Sequence, residues 1–438
     1  MTGERDVDAD APAASAGLLG WWRDGTSEGR RALVAAGLGW MLDAFDVMLW
    51  ALVLTDLMRH FALSPAAAGL LGSIALLASA AGGIGFGVIA DRFGRTRALM
   101  GSILVYSLFT FLCGLSQTVW QLALCRIGLG VGMGGEWASG AALVAETWSA
   151  RDRGKALGLM QSAWAIGYGA AAAVTGFVLP RWGWRWVFFV GVLPALLTLW
   201  IRRGVAEPAI WRGLSPGAQP GAQPAAQPAA KPRGSWLGLG EVFADGRLRL
   251  TVVVTLMNAC TLFAWWGFNL WLPGYLSSPA ARGGVGLSAA TMSGFVVAMQ
   301  VGMWFGYVTF GYVSDAIGRR RAYVTYLLAA AASMLIYVSV RSPTVLLLLG
   351  PFVAFFATGY FSGFGAVTAE IYPTAIRATA QGLTYNTGRI ASAAAPFAVG
   401  TLAQTHGFGT ALSICSAAFV LAAVFWIWIP ETRGNALA

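Results

Sequence analysis

The sequence predicts an all-α membrane protein: twelve transmembrane helices in two six-helix bundles, with both termini in the cytoplasm. Three observations predict it. Hydrophobic residue types make up 57% of the 438 residues and charged ones only 11%, with mean hydropathy +0.65. So little charge cannot cover a water-soluble globule of this size. Apolar stretches of membrane-crossing length follow one another from residue 33 onward. The first half of the chain also recurs in the second at a constant offset of 224 residues. Disulfide-stapled, collagenous and disordered classes are excluded by 4 cysteines and the apolar composition. The four (Cys113, Cys125, Cys260, Cys415) lie in apolar runs without metal-ligand spacing and read as inert buried thiols.

Residues 1–32 read as a cytoplasmic tail. Their acidic start (Glu4, Asp6, Asp8, Asp10) is the opposite of a cleavable signal. Gly17 to Trp22 suits a short interfacial helix, with an unstructured tail as the alternative. The first bundle, residues 33–201, holds spans near 33–57, 66–90, 98–116, 119–146, 156–180 and 184–201. Residues 202–247 form a cytoplasmic linker whose Pro/Ala/Gln repeat, Gly217 to Pro232, cannot bury a core. The second bundle, 248–429, holds spans near 248–276, 289–313, 322–340, 344–369, 379–402 and 408–429, and 430–438 is a cytoplasmic tail. Runs of this length and without alternation suit helices rather than barrel strands.

Basic residues orient the bundle. With the N-terminus inside, the inner segments carry 22 of the 29 and the outer loops 5. The net charge of +10 is thereby explained by topology and anionic-lipid contact, and nucleic-acid binding is not needed.

In the repeat, Gly87, Asp91, Gly94, Arg95 and Arg97 recur as Gly311, Asp315, Gly318, Arg319 and Arg321. Glu146 and Arg153 recur as Glu370 and Arg377, and Gly183 and Glu207 as Gly407 and Glu431. Parallel six-helix repeats imply a site between the halves at mid-depth and alternating access by rocking. Asp91, Arg92, Arg95, Glu146 and Arg153, with Asp315, Arg319, Glu370 and Arg377, are expected to pair at the cytoplasmic ends and hold an inner gate; the alternative is a set of topology-setting charges.

The segment Gly87-x-x-x-Asp91-Arg92-Phe93-Gly94-Arg95 resembles the signature between the second and third helices of the major facilitator superfamily. Arg126-x-x-x-Gly130 and Pro430-Glu431-Thr432-Arg433-Gly434 resemble two more of its motifs. The resemblance covers 33–433 and implies a secondary transporter.

Substrate must be argued from ionisable groups at membrane depth, each unfavourable by about 2.5–3.5 kcal/mol unless partnered or used. Asp43 and Asp46 share one face of the first helix, Asp43 roughly 15 Å from its inner end. Two such carboxylates repel, and burial opposes ionising both, so the pair favours holding a proton; one alternatively neutralises an Arg of another helix. Glu136, mid-helix in Gly134-Gly135-Glu136-Trp137, is a second candidate proton carrier or a structural group. The glycines around it suit close helix packing. Arg126 either snorkels outward, pairs with an Asp, or attracts an anion. Arg389, near mid-depth in Tyr385-Asn386-Thr387-Gly388-Arg389, has no acid beside it in sequence. It suits a substrate carboxylate held bidentately, or a salt bridge to Asp43, Asp46 or Glu136. Asn258, Trp265, Trp266 and Asn269 offer amide and indole contacts, one Trp of the pair alternatively facing lipid. Trp120, Trp182, Trp184, Trp426 and Trp428 read as an interfacial belt.

These charges, with Trp182-Gly183-Trp184-Arg185 and Glu370-Ile371-Tyr372-Pro373…Arg377…Gln381-Gly382…Tyr385-Asn386…Gly388-Arg389, resemble the sialate:proton and aromatic-acid:proton symporter families. The resemblance implies uptake roles for Asp43, Asp46 and Arg126. Ala44 departs from the Gly common after the first Asp, and the seventh span lacks the lactate permeases' His/Gln/Asp signature. Gly167-Tyr168-Gly169 followed by Ala170 to Ala173 lacks the Gly-Pro of drug antiporters. The expectation is a monomeric, proton-coupled importer of a small organic acid anion in a bacterial inner membrane, with no cofactor beyond the proton. No nucleophile–base pair or metal set suggests an enzyme. The rival readings are a carrier of an uncharged sugar or drug and a transport-dead sensor on the same fold.

Overall fold

The computed structural model describes residues 20–149, 152–205, 242–244, 246–372 and 377–433. The first part of the N-terminal tail, most of the linker and residues 434–438 lie outside them. So do the side chains of Asp91, Arg92, Glu146, Arg153 and Arg377.

The described chain is helical. A short α1 (Gly20–Asp24) precedes α2 (Ser27–His60), α3 (Pro65–Phe93), α4 (Arg95–Leu115), α5 (Val119–Thr147), α6 (Arg153–Trp182), α7 (Trp184–Val190) and α8 (Leu197–Gly204). After the linker come α9 (Leu248–Ser277), α10 (Ala289–Ile317), α11 (Arg319–Ser339), α12 (Pro343–Gly359), α13 (Phe364–Ile371), α14 (Arg377–Ser392) and α15 (Ala394–Phe425). Among the described residues, ten segments are long and apolar enough to cross a membrane; one of them, Ala380–Phe425, runs to 46 residues.

Helix starts follow cap chemistry. Thr26, Ser64, Thr118 and Ser288 each accept a backbone N–H at the head of a helix, and Thr118 with Gln121 closes a capping box. The first long helix begins at Ser27 rather than near 33, since Thr26 caps it there. Ahead of it Trp21 and Trp22 pack on Trp148, with centroids 5.2 and 6.3 Å away. Three of the expected continuous spans are interrupted. The stretch 184–201 breaks between α7 and α8, where Pro194 removes a donor. The stretch 344–369 tightens into a 3-10 turn at Tyr360–Gly363, and a break at Ala393 separates α14 from α15 ahead of Pro396.

The repeat is carried by the backbone. α3 and α10, and α4 and α11, have ends displaced by the same 224 residues. Gly94 and Gly318 both have positive φ (113° and 97°), as do Gly183 and Gly407 (79° and 80°), conformations open to glycine. Packing repeats too. A Cβ on Gly82 would sit 2.1 Å from the Val131 carbonyl oxygen, and one on Gly306 2.5 Å from that of Phe355, the equivalent pair. Backbones therefore touch at these crossings, as small residues permit in membranes.

Between the halves, α3 meets α15, α6 meets α10 and α2 meets α9. These seams close at the end where α2 finishes and α3 starts. A Cβ on Gly69 would lie 2.3 Å from the Pro396 oxygen, one on Gly400 2.4 Å from the Pro65 oxygen, and Thr55 and Ser277 hydroxyls are 2.8 Å apart.

Two tryptophans expected in an interfacial belt are buried instead: Trp426 stacks on Tyr323 at 4.4 Å, and Trp184 packs edge-on to Phe188. Trp120, Trp182 and Trp428 are exposed.

Gly134→Ala places a methyl 1.9 Å from the Ser79 oxygen, whereas a Cβ on Gly37 meets nothing within 4 Å. Thermal unfolding of the purified protein is expected to show Gly134→Ala destabilised by about 1–3 kcal/mol, the range for overpacking. Gly37→Ala should be neutral or slightly stabilising, because Ala is the better helix former.

Candidate functional site

Every ionisable group picked out at membrane depth is buried: Asp43, Asp46, Arg126, Glu136 and Arg389. Local sequence explains how they fit. Gly39 on α2 leaves room for Glu136 on α5, since a Cβ there would lie 2.6 Å from its Oε1. Gly167 lets α6 approach α2 until a Cβ would lie 1.8 Å from the Met41 oxygen, beside Asp43. Gly388 seats α14 on α9, where a Cβ would lie 3.0 Å from both Ala259 N and Asn258 Cβ. Arg389 follows that crossing point directly in the chain.

The acids gather in the first half. Tyr106 on α4 lies in the field of Asp43, Asp46 and Glu136 together, with its hydroxyl buried. Among the described residues no hydrogen-bond partner meets either oxygen of Asp43, Asp46 or Glu136. Asp46 is close to Thr110, for the space a Cβ on Gly191 would take is bounded by Thr110 Cγ2 at 2.2 Å and Asp46 Oδ1 at 3.0 Å.

The cations are held differently from expectation. The Arg126 guanidinium lies 4.5 Å from the centre of the Trp50 ring, a buried cation–π contact, and among the described residues its Nε and Nη1 have no acceptor. Among the described residues it forms no ion pair with an Asp, and Trp50 was not singled out from sequence. Arg389 comes from the second half and is the cation acting on Asp43 of the first. Among the described residues no salt bridge joins Arg389 to Asp43 or to any other acid.

Aromatic rings fill the space around them. Trp40 and Trp164 of the first half are 4.7 Å apart, and Trp164 meets Trp265 and Trp266 of the second at 5.6 and 6.3 Å. Trp265 reaches Phe361 at 6.1 Å. Both Trp265 and Trp266 are buried, which removes the lipid-facing alternative. Among the described residues, the indole N–H groups of Trp40, Trp164 and Trp265, the Asn258 amide nitrogen and the Gln300 amide oxygen are buried without hydrogen-bond partners. Such orphaned groups lining one seam are the donors and acceptors a ligand would satisfy. Asn269 and Asn386 differ: their amides donate within their own helices, to Trp265 O and Gly382 O, both at 3.0 Å. Tyr385 packs near Phe364, one turn from Arg389. Sequence reasoning missed Trp40, Tyr106, Trp164 and Gln300; only Trp40, one turn before Asp43, carried a positional hint.

At the far end of the second half the expected charge partners meet. Arg319 makes a 3.0 Å salt bridge to Glu370 and also contacts Asp315 and the Ser314 hydroxyl. The C-terminal motif completes the network. Glu431 Oε1 and Oε2 accept from the Arg319 and Arg320 backbone N–H at 2.8 and 3.1 Å, capping α11. The Thr432 hydroxyl donates to Glu370.

A bundle of apolar helices with unpaired charges and polar groups at the seam of two repeated halves defines a multi-pass membrane transporter. Known proteins agree. The model of the Major Facilitator Superfamily matches residues 32–284 and 254–437, and the chain belongs to that superfamily. It is 34% identical over 94% of its length to a protein of Haemophilus influenzae, 98% of which is covered, named as a metabolite transport protein. It is 31% identical to the cis,cis-muconate transport protein of Acinetobacter baylyi, over 92% of this chain and 94% of that one. To a sialic acid transporter of Escherichia coli it is 29% identical, over 91% and 93%. The fold matches the crystal structure of a D-xylose-proton symporter with TM-score 0.71 at 23% identity, covering 93% of this chain and 99% of the other.

The Glu431 latch carries a pH signature. Slight burial would raise its carboxyl, but donation from the backbone N–H groups of Arg433, Arg319, Arg320 and Thr432 prevails and holds it below the usual Glu value. A depressed carboxylate stabilises the fold above its unfolded value, and that stability is lost as pH falls through the lowered folded value. The melting-temperature gap between wild type and Glu431→Ala should therefore be full at neutral pH and shrink on acidification. A gap that widens instead would contradict the latch.

Proposed function

We propose that the protein is a proton-coupled symporter that imports a small organic acid anion across the bacterial inner membrane by alternating access. Twelve crossings fit this reading: the ten apolar segments, with Ala380–Phe425 divided at Gly407, plus α5. They form bundles over 33–201 and 248–429, with both termini cytoplasmic and a monomer as the working unit. The closed seam at Gly69, Pro396, Thr55 and Ser277 is then the outer one.

One observation carries the reading: Arg389 is buried and, among the described residues, in no ion pair, in a chain whose two halves meet through buried indole and amide groups without hydrogen-bond partners. A carrier of neutral substrates has no need of an unpaired buried cation. A guanidinium is suited to hold a carboxylate at two points. Asp43, Asp46 and Glu136 supply the proton site, where protonation removes a buried negative charge and frees Arg389 for the anion. Muconate and sialic acid, in the names of the relatives, are both carboxylic acids. The four-indole array, with N–H groups to meet oxygen, suits a planar unsaturated acid.

The test is uptake into proteoliposomes under an imposed inward proton gradient, with labelled lactate, benzoate-type acids, sialate and glucose. Acid uptake should rise with the gradient. Acid uptake that ignores it would remove the coupling, and glucose uptake without acid uptake would remove the substrate class. Arg389→Lys should slow acid uptake by about 10- to 100-fold, corresponding to the ~1.5–3 kcal/mol of a charged hydrogen bond. Asp43→Asn should abolish the response to the gradient while leaving anion exchange between loaded vesicles.

A further inference from the structure

A second binding site lies outside the seam, at the end of the second half where the Glu431 latch sits. A groove of about 1080 Å³ opens between the beginning of α11 and the end of α15. Its rim carries three guanidinium groups, Arg320, Arg321 and Arg433, against one carboxylate, Glu431. That carboxylate is committed to backbone N–H groups of Arg319, Arg320, Thr432 and Arg433. Arg433 spends one nitrogen on the Ala316 carbonyl oxygen at 2.8 Å. Among the described residues, neither the Arg320 nor the Arg321 side chain has an acidic partner.

Below the rim the walls turn aliphatic. Leu328, Val424 and Ile427 line the groove and are exposed on the outside of the bundle. Leu328 and Val424 lie on helices long and apolar enough to cross a membrane and Ile427 in the turn directly after the second, so the face they form points at hydrocarbon. Cations at a membrane boundary above an open apolar channel are complementary to one class of ligand, an anion that carries a hydrocarbon chain.

We propose that this groove holds one anionic phospholipid. Its phosphate sits among Arg320, Arg321 and Arg433, and an acyl chain lies along Leu328, Val424 and Ile427. A free phosphate would use the rim alone and leave the apolar channel without an occupant, so the lipid is the better fit. Because Glu431 and Arg433 form both the latch and the rim, bound lipid would hold the C-terminal motif against Gly318 and the start of α11.

Native mass spectrometry of the full-length protein in detergent tests this. The protein is titrated with phosphatidylglycerol or with phosphatidylcholine of the same chains, and separately with inorganic phosphate as competitor. One phosphatidylglycerol should bind in preference to phosphatidylcholine. Each arginine removed should weaken it about fivefold, so R320Q/R321Q should bind roughly 25-fold more weakly. Leu328→Asn, which keeps the rim, should weaken lipid binding too. Three results would each overturn the proposal: equal retention of the two lipids, wild-type retention by R320Q/R321Q, or displacement of phosphatidylglycerol by millimolar inorganic phosphate. The last would assign the rim to a free anion. All three arginine side chains are exposed, so these variants are expected to fold, and Arg433→Gln provides an independent single change. The readout is lipid retention rather than transport, so it stands apart from the fate of the symport reading.

Discussion

Electroneutrality of a low-dielectric interior is the constraint on which the rest of this structure depends. An uncompensated charge at membrane depth costs about 2.5–3.5 kcal/mol on insertion scales. Five ionisable side chains are buried there, three acids and two arginines, and among the described residues none is in an ion pair. Fully ionised, the set would carry one net negative charge. One proton makes the empty carrier neutral, and a monoanion then calls for a second. In the proposed symport each negative charge carried inward would bring one proton, a ratio set by the residue census rather than by a dedicated relay.

Two features keep that set poised. Glycines at helix crossings bring backbones into contact, so that α2, α5 and α6 enclose Asp43 and Glu136 tightly while Arg389 approaches from α14 on its own glycine. A charge held on the opposite half is one whose neighbours change when the halves rock. Away from the seam, the Arg319–Glu370 pair and the Glu431 cap belong wholly to the second half. In this state they brace a bundle rather than bridge two, which suits a group that tethers helix ends while the seam moves. The superfamily motif after the last helix acquires a physical meaning in this way: its Glu is the cap of a helix more than a hundred residues away in sequence.

Much of this was legible in the residues. The 224-residue offset pairs Gly94 with Gly318 and Gly183 with Gly407, and both members of each pair adopt positive φ, which few residue types tolerate. Buried charges were legible because they are rare in apolar runs. What escaped was contact across sequence. Arg126 rests on Trp50, and Tyr106 sits among three acids; neither pairing has a local signature, since each joins helices whose rotation is set by packing. Tryptophans at span ends looked interfacial, yet Trp426 is buried by a stacking partner on another helix. The breaks at Pro194 and Ala393 lie inside continuous apolar runs, where hydropathy does not register a lost backbone hydrogen bond.

The central claim, one proton for each negative charge of substrate, is tested most directly by measuring charge movement during transport in proteoliposomes adsorbed on a sensor membrane. A monocarboxylate should produce uptake accompanied by proton flux but no sustained current, and a dicarboxylate should double the proton flux and remain electrically silent. A steady inward positive or negative current during monocarboxylate uptake would contradict the account.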